Sequence, residues 1–108
     1  AILGGAAARP PRCIIHTIFD FLDGFYGNDL LQRIADNTSK FPTLLRYFHE
    51  WLVKYSNVDK RARNEARFEN DIIYDIADIV QYRRAIIDYM AGMTDNFAIR
   101  VYHEIISF

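Results

Sequence analysis

The stretch Arg84-Ala85-Ile86-Ile87-Asp88-Tyr89-Met90-Ala91-Gly92-Met93-Thr94-Asp95-Asn96-Phe97-Ala98 decides how the chain is read. It sets a helix stop and a helix start side by side. Gly92 suits the end of one helix, because glycine takes positive φ without steric cost. Thr94 suits the N-cap of the next, since its hydroxyl can accept from an unpaired amide of the first turn. Asp95 then places negative charge where the helix dipole favours it. Met93 and Phe97 are the apolar residues that would close the corner, with Asp88 one turn before Gly92. The segment reads as helix, capped turn and helix.

Working outward, Ile72, Ile73, Ile76, Val80, Ile87 and Met90 extend the first of these helices upstream, with Asn70 or Asp71 as its cap. Downstream, Phe97, Ala98, Val101, Tyr102, Ile105 and Ile106 mark the buried side of a last helix. Further back, Ile14, Ile15, Ile18, Phe19 and Leu22 form one helical stripe over 12–23, ended by Gly24 or Gly27. Asn28 is the expected cap of a short helix carrying Leu30, Leu31 and Ile34. Pro42 or Thr43 opens a helix with Leu44, Leu45, Phe48, Leu52 and Tyr55 inside and Trp51 on its shoulder. Residues 59–70 are a mixed-charge connector or an exposed helix. No alternating strand pattern occurs. The expected fold is all-α, about five helices in a compact bundle: one helical domain over 12–108, preceded by a flexible lead-in at 1–11 with Gly4-Gly5 and Pro10-Pro11.

Composition bounds the rest. The chain has 108 residues, 51% apolar and 25% charged, with a formal net charge of −1. This is a globular composition that excludes a globally basic nucleic-acid binder and a polyacidic tail. Seven Tyr, eight Phe and one Trp are many rings for a core of this size. Tyr47, Trp51, Tyr55, Tyr74 and Tyr82 fall at the edges of the apolar stripes, which predicts aromatic surface and self-association. The single cysteine, Cys13, excludes an internal disulfide and fits a reducing, cytoplasmic compartment. No apolar run reaches the ~18 residues of a membrane span.

Catalytic motifs are missing. No glycine-rich phosphate loop occurs. His16, His49 and His103 form neither a metalloprotease pair nor a His-Asp dipeptide. Asp71, Asp75 and Asp78 would share one face of a helix, a potential oxygen-ligand set for Mg²⁺ but more simply a solvated face. Tyr82, Arg83, Arg84 and the cations of 60–67 offer an anion patch, or plain helical surface charge. No catalytic residue and no metal ligand is assigned.

The Asp88-Tyr89, Gly92-Met93-Thr94-Asp95, Phe97 and Ala98 pattern closely resembles the C-terminal signature of the bacterial deoxyguanosine triphosphate triphosphohydrolases, within the HD-domain phosphohydrolases. The resemblance is strong over 83–105 and general upstream, and Asn96 departs from the basic residue usual at its position. It implies a larger helical enzyme that cleaves a dNTP to deoxynucleoside and triphosphate, using Mg²⁺ or Mn²⁺ held by His, His-Asp and Asp ligands. None of those ligand motifs stands in this sequence. The chain is therefore expected to be the C-terminal part of such a protein, inactive alone, with the rest of its own polypeptide and further copies as partners and no membrane. Arg84, Tyr89 and Asp95 are the candidates for a nucleotide or subunit contact. The rival reading is a free-standing helical interaction module.

Overall fold

The computed structural model describes residues 12–107, and the lead-in expected at 1–11 lies outside the described residues. Six helices follow one another: α1 (Arg12–Asp23), α2 (Leu30–Asn37), α3 (Pro42–Tyr55), α4 (Lys60–Glu65), α5 (Ile79–Ala91) and α6 (Asp95–Ile106). The bundle is all-α. Among the described residues the only β-type pairing is an isolated bridge between Ser56 and Tyr74. No helix of the described residues is long and apolar enough to cross a membrane.

Apolar periodicity places the core. Ile14, Ile18 and Leu22 recur every fourth residue of α1 and are buried, packed toward α5 and α6. α3 supplies the centre, with Leu44, Leu45, Phe48 and Leu52 fully enclosed. The α1 stripe is narrower than the pattern suggested, because Ile15 stays on the surface at 43% exposure.

Polar groups tie the elements at their ends. The α1–α2 turn is clamped by Arg33, whose guanidinium donates to the carbonyls of Gly24, Phe25 and Tyr26. Gly27 in that turn has φ 152°, a backbone region that side chains oppose. Asp29, not Asn28, precedes α2, and its side chain makes no cap bond. At the start of α3, Phe41 likewise gives no side-chain cap. Glu104 of α6 does that work, accepting from the Thr43 and Leu44 amides at 3.0 Å each.

The largest correction concerns 70–78, which is not helical. α5 begins only at Ile79, capped by Asp78, whose carboxylate accepts from Val80 N. The preceding residues form a strap across the end of α3. Ile73 and Tyr74 amides donate to the Tyr55 carbonyl, and the Asn57 amide donates to Tyr74. The Asn57 side chain receives the Ile76 amide and donates to Asp75. Side-chain carboxylates and amides here offer the backbone partners that a helix would need. The β-branched pair Ile72-Ile73 adds no helical preference. Without that helix, the shared face of Asp71, Asp75 and Asp78 does not form.

The buried face of α5 changes accordingly. Ile72, Ile73, Val80 and Ile87 are exposed, while Tyr82, Ala85, Ile86 and Tyr89 are buried. Tyr74 and Tyr82, expected at the edges, are at 2% and 0% exposure. Each satisfies its hydroxyl: Tyr74 on Asp88 Oδ2 and Tyr82 on the Leu22 carbonyl, both at 2.6 Å. In α6, Ala98 and Val101 are buried, whereas Ile106 is exposed.

Candidate functional site

The α5–α6 corner is built as the residue types require, with one difference. The Thr94 hydroxyl accepts from the Phe97 amide at 3.1 Å, and Asp95 occupies the first turn of α6. Gly92, however, has φ −87° and ψ −2°, an ordinary right-handed conformation. A Cβ at Gly92 would meet the Tyr89 carbonyl at 3.7 Å, an ordinary van der Waals contact. The helix therefore ends without positive φ. Its last amides bond back in short turns, Gly92 to Tyr89 and Met93 to Met90.

The candidate contact residues occupy different places. Arg84 lies on the exposed flank of α5, its Nε 3.9 Å from Asp88 Oδ2 one turn on. That same oxygen receives the Tyr74 hydroxyl. Burial, then this hydrogen bond, pushes the Tyr74 phenol well above the usual tyrosine range. Tyr89 is buried, its hydroxyl 3.4 Å from the Leu44 carbonyl. Its ionisation is also pushed up, by burial first and then by the charges of Glu104 and Glu50. Asp95 lines an apolar cavity of about 440 Å³ between α1, α5 and α6, with Ile15, Phe19, Ile87 and Met90. Arg84, Tyr89 and Asp95 thus do not line a common cavity.

The corner does create one feature that the sequence reading missed as a unit. Tyr47, Trp51 and Tyr55 recur every fourth residue of α3, and α5 and the corner face them. A groove of about 380 Å³ runs between Tyr47, Trp51, Tyr89, Met93 and Phe97. It joins a second space of about 430 Å³ where Glu50, Lys54, Tyr55 and Phe68 stand. The rings of Tyr47 and Phe97 meet edge to face at 5.8 Å, and those of Trp51 and Tyr89 are 5.8 Å apart at 49°. The Trp51 indole N–H donates to the Ala85 carbonyl at 3.1 Å, which fixes the ring against α5. The spacing on α3 was a usable signal. Phe68 was not, because its approach depends on the turn after α4, where Arg67 has φ 59°.

Metal-ligating side chains do not converge. Among the described residues no group of three or more His, Cys, Asp or Glu could hold a metal ion. Asp75 and Asp78 are engaged instead with Asn57, Ala77 and Val80. The Asn57 hydrogen bond, then that of the Ala77 amide, holds Asp75 below the usual carboxylate range. Cys13 is free and exposed.

Comparison with curated proteins and with solved structures returns no match. A family model does match: the phosphohydrolase-associated domain, over residues 50–104. That span runs from the second half of α3 through the strap and α5 to Glu104, and includes the corner and every named residue of the aromatic groove but Tyr47. With half of its length so matched, the chain belongs to the phosphohydrolase-associated domain family, whose members accompany HD-domain phosphohydrolases.

Proposed function

We propose that this chain is the C-terminal helical region of a metal-dependent dNTP triphosphohydrolase, supporting the catalytic domain and its oligomer without performing the chemistry itself. The observation that carries this reading is the corner signature, Asp88-Tyr89 through Phe97-Ala98, inside a segment that matches a phosphohydrolase-associated domain. The signature's side chains serve structure: Thr94 caps α6, Met93 and Phe97 pack on the core, and Asp88 anchors Tyr74 of the strap. Such a rigid corner suits a docking element. On this reading the Mg²⁺ or Mn²⁺ of the reaction would be held by the catalytic domain. The substrate would be a dNTP and the setting cytoplasmic.

The experiment compares the full gene product with the isolated chain. Each is incubated with the four dNTPs and Mg²⁺ or Mn²⁺, and triphosphate release is assayed. Release by the full product alone is expected. Turnover by the isolated chain that scales with its concentration overturns the accessory role. A full product that contains no phosphohydrolase domain and releases no triphosphate favours a free-standing interaction module.

A further inference from the structure

We propose that the aromatic groove between α3 and the α5–α6 corner binds an organic ammonium ion. This inference stands apart from the accessory role and uses none of its assumptions.

Aromatic faces carry the negative part of the ring quadrupole and attract cations. The chain already exploits this at the margins of the groove. The Arg46 guanidinium lies 5.6 Å from the Tyr47 ring centre. The Lys54 ammonium lies 5.4 Å from that of Tyr55 and 5.6 Å from that of Phe68. No cation of the described residues is placed over Trp51, Tyr89 or Phe97, the rings of the groove's interior.

Those interior rings are held before any ligand arrives. Trp51 is fixed by its bond to Ala85, and Tyr89 is buried beneath it. Their mutual tilt of 49°, and that of 68° between Tyr47 and Phe97, make walls rather than a flat stack. A planar ligand gains most from parallel faces, whereas a compact cation gains from several inclined ones. The space of about 380 Å³ suits one small head group.

Charge completes the argument. Glu50 lines the adjoining space, next in sequence to Trp51, exposed and without an ion-pair partner among the described residues. After burial, its charge and that of Glu104 push the Tyr89 phenol up, so two carboxylates act on a ring that lines the groove. Lys54 is drawn to the Phe68 end and Arg46 to the Tyr47 ring, which leaves Trp51 and Phe97 without a cation from the described residues.

Trp51 is the only tryptophan, so its fluorescence reports on the groove. The 108-residue chain is titrated with choline and with the uncharged analogue in which carbon replaces the quaternary nitrogen. Choline should give a saturable change, with the analogue at least about fivefold weaker. Tyr47→Leu should weaken choline about fivefold and Glu50→Gln about twofold. Both residues are exposed, and unchanged melting curves would separate binding from folding. No choline-dependent signal overturns the proposal. So does equal binding of the analogue, which would mark a merely apolar groove. Tighter binding of a deoxynucleoside monophosphate than of choline also overturns it, and assigns the groove to aromatic anions.

Discussion

Glu104 stands across the first turn of α3 from Thr43, its Oε2 accepting the Thr43 amide at 3.0 Å. Oε1 takes the Leu44 amide at the same distance. Pro42 has no N–H and the Phe41 amide donates to Asn37, so one carboxylate from the last helix satisfies both amides that the start of α3 leaves unpaired, and its charge complements the helix dipole. Removing it should destabilise the chain by about 1–2 kcal/mol, as for a lost N-cap. Glu104→Gln should cost less than Glu104→Ala, because one amide oxygen can still accept. Urea melts of the two variants check this. A loss below about 0.5 kcal/mol for Glu104→Ala would show that water serves α3 equally well.

The corner residues should separate in a defined order. Thr94→Ala removes the bond to Phe97 N and should cost about 0.5–2 kcal/mol. Gly92→Ala should stay within about 0.5 kcal/mol, because Gly92 has helical dihedrals and a Cβ finds ordinary room there. Arg84→Ala should also fall below about 0.5 kcal/mol, since its 3.9 Å pair with Asp88 is mostly solvent-exposed. Thermal melts decide the ranking. A Gly92→Ala variant worse than Thr94→Ala would contradict this geometry.

Alkali should unfold the chain. Tyr74, Tyr82 and Tyr89 all have phenols pushed above the usual range, with burial as the first cause in each. Unfolded tyrosines lose their protons near pH 10, at about the free value, while these three keep theirs when folded. The folded state therefore binds more protons above that pH, and stability falls as pH rises. Below about pH 9 this contribution is complete and flat. Urea midpoints across pH 8–11, together with spectrophotometric titration, test the sign. Ionisation of all seven tyrosines near pH 10 without unfolding would refute it.

Tyr74→Phe isolates the strap. The hydroxyl bond to Asp88 at 2.6 Å links the strap to α5, beside the backbone bonds to Tyr55 and Asn57. Its loss should cost about 1–2 kcal/mol and raise hydrogen exchange at the Asn57, Ile73 and Tyr74 amides selectively. Uniform exchange across the whole chain would show that strap and bundle open together.

The proposed role in an oligomer predicts reversible self-association of the isolated chain. Ile15 and Ile87, at 43% and 56% exposure, flank the apolar cavity between α1 and α5. Sedimentation at rising concentration should show association, and Ile87→Glu should suppress it. A strict monomer up to high micromolar concentration would count against that role.

Local chemistry by itself determined most of the helices. The i, i+4 recurrence of Ile14, Ile18 and Leu22 or of Leu44, Phe48 and Leu52 needs only the 3.6-residue period to be read. Pro42 at the first turn of α3 and Thr94 before α6 are likewise where backbone rules put them. Tertiary structure decided the strap at 70–78. Its isoleucines carry a helical spacing, yet Asn57 and Tyr55 bind its backbone from a distance, and Tyr74 enters the core to reach Asp88. Periodicity records which side chains are apolar, and it is blind to partners supplied by another element. The same holds for the cap that Glu104 lends to α3 and for the groove that gathers Tyr47, Trp51, Tyr89 and Phe97. These depend on residues brought together across dozens of positions, and only the packing of α3 against α5 and α6 makes them neighbours.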